Sequence, residues 1–472
     1  MKISNADFVH LHTHSEYSRF DGLNKIGDFV LQARKMGFKA LALTDHGNVG
    51  GLIKFYTECK KKKDKKDKEI PYDPIKPILG CEVYLSKNRH ARGKEQQPDG
   101  RKGNRHLLLL AKNKIGYENL CALVQCGYTE GQAFGDPRID LEILAQHSSG
   151  LICSSACLSS VINNNLLVGR YDQAAKAAKV LKDIFGEDFY LEAMYHGIDA
   201  EGYIISDIIK LGRQLDVPII CSNDAHYCFK EQAESHEVLV AMSTSKCIKD
   251  PKRYKFPYGE FYLKSAEEMW KIFGTQPQFL YNTVALSEKV EDFIKPGIMR
   301  LPQFRMPTGS GIKQCHNQQE AYAKLKQLAL EGMKRLGWDQ SPAHVKQLNI
   351  ELEDVQIAWT ANKMDFATYF LIVWQYINFA KEKGILTGCG RGSGYASVLL
   401  RALGITYGPD PIKYGLLWER FLSFDQAHFI NDSDWGIGDA ETAAVSIDEV
   451  VALGDDEEDK EENSNAEEED NY

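Results

Sequence analysis

Seven short runs of aliphatic and β-branched residues, at positions 8–12, 40–44, 77–85, 106–111, 151–155, 189–194 and 217–222, alternate with longer stretches of helical periodicity. Strand-length runs separated by amphipathic helices such as 26–36 and 171–185 predict repeated βα units around a parallel sheet or barrel. Seven strands are enough to close such a barrel. The rhythm stops around residues 251–261, where Ser265 followed by Glu268 forms a capping-box helix start. Beyond it, 301–311 (LPQFRMPTGSG) reads as a linker, and 318–336 and 352–383 read as long helices.

At 472 residues the chain predicts two or three domains, and its 43% hydrophobic and 26% charged content excludes a collagenous or wholly disordered protein. The net charge of -9 hides a division: residues 431–472 hold 17 acids and one lysine, whereas residues 1–430 hold 49 acids and 56 bases. The body is mildly basic, and the end, from Gly454 onward, repels itself and has little to bury, which predicts disorder. Eleven cysteines without regular spacing predict reduced thiols in a cytoplasm. The start, MKISNADFVHLHTH, lacks a signal-peptide core. Residues 369–380 (YFLIVWQYINFA) are too few to span a membrane and include Gln375 and Asn378, so a buried helix is expected. The basic stretch from Lys60 to Lys68 reads as a solvated helix end and loop, with phosphate steering as the alternative.

His10, His12 and His14 alternate at the end of the first run, which on a strand would put all three on one face. In a barrel that face leads to the C-terminal mouth, where active sites are built. Metal-competent side chains recur at the other strand ends: Asp21, Asp45 and His46, Glu82, His106, Cys157, and Asp224 with His226. Imidazoles, carboxylates suited to bridging and one thiolate would make a multinuclear site for zinc, manganese or iron. His196 reads either as a further mouth residue or as a loop histidine, and Cys153 as a core thiol. In the second half, Gly390, Arg391, Gly392 and Ser393 form a Gly-rich turn opening a helix. Its backbone N–H groups, the helix dipole and Arg391 could hold phosphate, or the turn could be only a loop and cap.

Together HLHTHS, TDHGN, the glutamate of GCEVY, RHLLLLAK, the cysteine of SSAC and NDAH resemble the motifs of the PHP domain. They most closely resemble the version at the front of C-family bacterial DNA polymerase III alpha subunits, over residues 8 to about 425. The resemblance implies an α/β chain in three parts. Residues 1–285 would form a PHP-type distorted (β/α)7 barrel, 286–430 linker helices and the mainly helical start of a polymerase palm, and 431–472 a disordered acidic tail. It also implies that His12, His14, Asp21, His46, Glu82, His106, Cys157, Asp224 and His226 bind about two or three divalent ions, with Asp21, His46 and Asp224 catalytic. His10 would stand beside these ligands. Since all nine are present, the resemblance implies an active domain and not one of the PHP scaffolds that have lost ligands. The implied activity is metal-dependent phosphoester hydrolysis, in polymerases a 3′–5′ exonuclease.

The succession YFLIVWQYINFAKEKGI, GRGS and DPIKYGLLWERFL resembles the beginning of the polymerase palm, which makes Arg391, Gly392 and Ser393 the expected nucleotide-binding residues. Asp432 and Asp434 have the spacing of the palm's magnesium-binding pair without its sequence context, and a third aspartate has no counterpart. Magnesium and a deoxynucleoside triphosphate are therefore expected at the palm only with a second polypeptide carrying the remaining palm, fingers and C-terminal domains. The acidic end reads as the terminus of a split subunit or of one that has decayed there. Expected partners are primer ends or single strands of DNA and, through that second polypeptide, a sliding clamp and other replisome proteins; no membrane is expected. The alternatives are a metal-stabilised scaffold for replisome assembly and a free-standing phosphoesterase for small molecules.

Overall fold

The computed structural model describes residues 7–63, 68–93, 95–133, 136–256, 259–295, 304–308, 311–314, 318–362, 365–390 and 392–422. The chain divides into two compact units, one ending at Ile294 and one beginning at Lys295. Residue 285, the boundary expected from sequence, lies inside the helix Pro277–Lys289.

The first unit contains strands β1 (Ala40–Leu43), β2 (Lys76–Leu85), β3 (Arg105–Ala111), β4 (Gln132–Ala133), β5 (Asp136–Ile139), β6 (Leu151–Ser154), β7 (Phe189–Met194) and β8 (Ile219–Ser222). They run in the order β4-β5-β2-β3-β6-β7-β8, with β1 beside β2. Residues 8–14 join the two sides of this sheet. The Ala42 and Thr44 amides donate to the carbonyls of His10 and Thr13, both at 2.9 Å, and the His14 amide donates to the Ala225 carbonyl at 2.8 Å. The result is a distorted barrel with helices on its outer face, the PHP-type fold.

It departs from the expected parallel arrangement in one way that matters for the site. β3 runs antiparallel to both β2 and β6, with Tyr84 opposite His106. The beginning of β3 therefore meets the ends of its neighbours, which is why His106 reaches the mouth from the start of its strand. Residues 8–12 also differ from expectation, pairing through isolated bridges and not as a regular strand.

Side-chain alternation builds the two faces. Leu41 and Leu43 pack outward with Phe29, Val30 and Phe55 of the helices, whereas Ala42, Ile78, Leu110, Tyr190 and Ile220 form an inner cluster with Leu286 and Val290. Each such aliphatic side chain contributes about 1.5–3 kcal/mol by leaving water. The same inner faces carry Glu82, four residues beyond Ile78, and Glu192, two beyond Tyr190, so the interior changes from apolar to ionisable along its length. The capping box of Ser265 and Glu268 forms and starts the helix Ala266–Phe273.

In the second unit, helices Gln318–Leu336, Pro342–Asn362, Phe366–Glu382 and Val398–Ala402 pack around Leu325, Leu352, Phe370 and Leu399. The single helix expected over 352–383 is two. Pro342 opens the first, where its missing N–H costs nothing, and Asp365 caps the second by accepting from the Thr368 amide at 2.9 Å and hydroxyl at 2.8 Å. The second helix is buried only near its start, at Phe370 and Leu371, and Tyr376 is 68% exposed. The expected linker at 301–311 contains one strand of an antiparallel pair, β9 (Arg305–Thr308) with β10 (Gly311–Gln314). Among the described residues no helix is long and apolar enough to cross a membrane, and ten cysteines are free thiols.

Buried Glu351 ties this unit together. Its carboxylate accepts from the Ser397 hydroxyl at 2.7 Å and from the Val398 and Leu399 amides at 2.9 and 2.8 Å, capping the helix that follows the Gly-rich turn. Glu351→Ala would strand these donors, so a loss of about 3 kcal/mol is expected in urea denaturation of this unit. A change below about 0.5 kcal/mol, the ordinary range of surface substitutions, would show that water replaces the carboxylate.

Candidate metal centre

The nine strand-end residues converge on one spot. Glu82, fully buried at the inner face of β2, is the hub. Its Oε1 lies 2.9 Å from His106 Nδ1 and 3.5 Å from His12 Nε2, while its Oε2 lies 2.8 Å from His46 Nδ1 and 3.5 Å from His14 Nε2. Asp224, just past β8, is the second hub. Its Oδ1 is 3.0 Å from His14 Nε2, 3.3 Å from His12 Nε2 and 3.7 Å from His226 Nδ1. Asp21 closes the rim, with Oδ2 3.4 Å from His46 Nε2 and 3.8 Å from His226 Nε2. Cys157 Sγ stands 3.5 Å from His106 Nδ1 and 3.7 Å from Glu82 Oε1.

Local backbone features place these groups. Asp224 (φ 43°) and Ala156 (φ 56°), which precedes Cys157, both occupy the left-handed region, turning the chain sharply at the mouth. Gly22 packs so tightly that a Cβ there would come within 1.8 Å of the Ser15 carbonyl oxygen, and this close turn presents Asp21.

Three other candidates do not join the cluster. His10 turns away, its Nε2 2.8 Å from the Lys264 carbonyl and its ring edge-on to Phe8 and Phe38. Strict alternation fails because residues 8–14 are not a regular strand: Phe8 belongs to the helix-side cluster, Val9 and Leu11 to the inner one. Asp45 is consumed by the turn at 15–18, accepting from the Ser15 amide and the Ser15 and Ser18 hydroxyls at 2.7, 2.8 and 2.8 Å. His196 has both ring nitrogens engaged, by Glu201 and by the Asn223 carbonyl, each at 2.8 Å. Cys153 packs in the helix-side core.

One residue with a role at the site carried no motif. Glu192, fully buried on β7, accepts from the Ser154 and Ser222 hydroxyls and holds His12 Nδ1 at 2.9 Å, which leaves His12 Nε2 facing the cluster. A carboxylate behind an imidazole fixes its tautomer and raises its strength as a ligand. The detectable signal was a charge at an inward position between Tyr190 and Met194. Ser18 does the same for His14, at 3.0 Å from Nδ1.

The electrostatics are those of a cation site. Burial opposes ionisation of Glu82, but His106, His12 and His46 hold it well below the usual carboxylate range, and His12, His226 and His14 do the same for Asp224. Burial likewise opposes protonation of His12, yet Asp224, Glu192 and Glu82 push it well above an ordinary imidazole. His14 goes the other way, to about 3, through burial and the neighbouring His46 and His226. Burial, with Glu82 and Asp224, raises the Cys157 thiol. Seven buried atoms here meet their neighbours at most as close ion-pair contacts without hydrogen-bond geometry: His12 Nε2, His14 Nε2, Asp21 Oδ1, His46 Nδ1, Glu82 Oε2, Asp224 Oδ1 and His226 Nε2. Buried polar atoms are normally paired. A knot of imidazoles and carboxylates crowded together without hydrogen-bond geometry, including three overlapping triads within 4.8 Å, fits divalent cations.

In the second unit, Gly392 and Ser393 begin a short 3-10 helix, Gly392–Ala396, and Arg391 lies outside the described residues. Glu351 takes the Val398 and Leu399 amides at the start of the next helix, Val398–Ala402, so those two N–H groups are not open to a phosphate. Asp432, Asp434 and the acidic segment 431–472 also lie outside the described residues.

Two family descriptions match the chain: the PHP domain over residues 10–196 and the bacterial DNA polymerase III alpha NTPase domain over residues 323–446. DNA polymerase III subunit alpha of Borreliella burgdorferi is 40% identical over 418 residues, covering 88% of this chain and 34% of that protein. The subunits of Treponema pallidum and of Helicobacter pylori strain 26695 are each 36% identical, covering 89% of this chain and 34% of theirs. The chain thus spans about a third of the length of the curated relatives it matches. It belongs with the N-terminal portion of bacterial DNA polymerase III alpha subunits, carrying their PHP domain followed by their alpha NTPase domain.

Proposed function

We propose that the barrel is a metal-dependent phosphoesterase that removes nucleotides from DNA ends in the 3′–5′ direction, in the cytoplasm, as part of a replicative polymerase. The observation that carries this reading is the convergence of all nine residues, with seven of their buried atoms left without hydrogen-bond geometry. His12, His14, Asp21, His46, Glu82, His106, Cys157, Asp224 and His226 would hold about two or three zinc, manganese or iron ions. Bound there, such ions supply neutralisation of phosphate charge and a water of lowered pKa.

The chain's own contribution is placement. His12, His14 and Glu82 form a floor sealed from solvent, while Asp21, His46, His106 and Asp224 stand at a partly open rim where a phosphodiester arrives first. Of these rim residues, Asp21, His46 and Asp224 are the ones we assign to catalysis. The test is hydrolysis of a single-stranded oligonucleotide in manganese, with 5′- and 3′-labelled strands reporting direction and a chelator as control. Metal binding with no hydrolysis in any of these would leave a metal-stabilised assembly scaffold as the function.

For the second unit we propose that Arg391, Gly392 and Ser393 contact the phosphates of an incoming nucleotide, with magnesium, once the rest of a polymerase is present. Because the chain spans about a third of its relatives, primer extension is expected only with a polypeptide supplying the remaining palm, fingers and C-terminal domains, through which clamp and replisome contacts would also come. Primer extension by this chain, by that polypeptide and by both, with Arg391→Ala alongside, checks this. Robust synthesis by these residues alone would refute it.

A further inference from the structure

A cavity of about 310 Å³ opens from the metal centre, and part of its wall serves neither the ligands nor the barrel core. Arg101 lines it, its side chain 57% exposed and its guanidinium 2.5 Å from Asp99. Asp99 is pinned in turn by Asn164, through its amide at 3.1 Å and its carboxylate at 2.8 Å. Asn164 belongs to the helix Val161–Leu167, which begins four residues after Cys157. The arginine is thus fixed relative to the ligand cluster.

Residues 254–256 line the same cavity. Arg253 anchors it, buried, with Nε donating to the Ile248 carbonyl at 2.9 Å and its guanidinium paired with Glu237 on the helix Ala233–Ser243. Phe256 packs edge-on against His226 at 5.0 Å and Phe261 at 4.8 Å. Tyr254 sits edge-on to Phe256 at 5.6 Å and remains 58% exposed, while Lys255 is exposed beside it. An anchored aromatic ring with an exposed surface, next to Lys255 and sharing its cavity with Arg101, therefore borders the site proposed to handle phosphate.

A small sugar phosphate would use the cations and leave the ring idle. A nucleic acid strand uses both, because bases stack on aromatic side chains while cations follow the backbone. We infer that Tyr254 stacks on the base of a strand's terminal nucleotide while Arg101 and Lys255 hold the adjoining phosphates, so that this wall is the docking site for single-stranded ends. The inference rests on the phosphoesterase reading for the fate of the bound strand, but binding can be measured without cleavage.

The experiment is fluorescence anisotropy of a labelled, phosphorothioate-linked single strand on the full chain in manganese. Tyr254→Ala should weaken binding at least about fivefold while Tyr254→Phe holds it, and Arg101→Ala or Lys255→Ala should weaken it with a shallower salt dependence. A strand whose terminal nucleotide lacks its base should bind wild type and Tyr254→Ala equally. The inference is overturned if Tyr254→Ala binds the ordinary strand like wild type, or if it loses as much affinity for the strand lacking the terminal base. Tight binding without cleavage of a natural strand would sink the phosphoesterase reading alone. Cleavage with binding indifferent to Tyr254 would sink the docking site alone.

Discussion

Asp224→Asn is expected to cut hydrolysis of a single-stranded oligonucleotide to below roughly a thousandth of wild type, on the order of 4 kcal/mol of lost transition-state stabilisation. Asp224 Oδ1 reaches His12, His14 and His226, so its carboxylate is shared among three ligands of the centre. The amide keeps the size and the left-handed backbone that Asn tolerates, but it removes the charge that balances divalent cations and the oxygen suited to bridging them. The measurement is made at saturating manganese, so weakened metal affinity does not stand in for lost chemistry. His147→Ala is the control, since that ring pairs with Asn119 at 3.0 Å and takes no part in the cluster. A mutant rate within tenfold of wild type would remove Asp224 from catalysis. Identical rates would point to a contaminating nuclease.

What the sequence made legible here follows from what local pattern encodes. Strand ends are visible as the last residues of β-branched runs, and metal-competent side chains recurring there marked out the residues that the barrel gathers. Strand direction leaves no such trace. The antiparallel course of β3 was invisible in periodicity alone, although it explains why His106 opens its run. The inference from alternation to a shared face holds only for a regular strand, and it failed for His10 because residues 8–14 pair through isolated bridges. Glu192 and Glu351 escaped notice for another reason: each is a single carboxylate inside an otherwise ordinary strand or helix pattern, and burial, which a sequence does not print, is what gives it a role. In the helical unit, Asp365 begins a second helix within a run whose apolar spacing looked continuous.

Metal loading is expected to raise the thermal midpoint of the chain by about 5 °C or more, and Glu192→Gln to weaken metal affinity about 10- to 100-fold. Without a cation the cluster buries seven polar atoms that meet their neighbours at most as ion-pair contacts without hydrogen-bond geometry, packs three imidazoles in a stack with His14–His46 and His14–His226 centroids at 4.1 and 4.4 Å, and keeps the Cys157 thiol protonated. A cation that binds only the folded form contributes about 2.7 kcal/mol at a hundred times its dissociation constant, and a domain this size gains about 2–4 °C per kcal/mol. Two sites would exceed the stated shift. Glu192 touches no other ligand of the centre, so its effect should pass through His12 Nδ1 alone, and chelator competition on folded protein reads it as affinity and not as stability. Elemental analysis should find two or three ions per wild-type chain after supplementation and fewer in His12→Ala. Less than one ion per wild-type chain, or a midpoint that chelator leaves unchanged, would mean that these atoms are satisfied by water and that the centre is not a metal site.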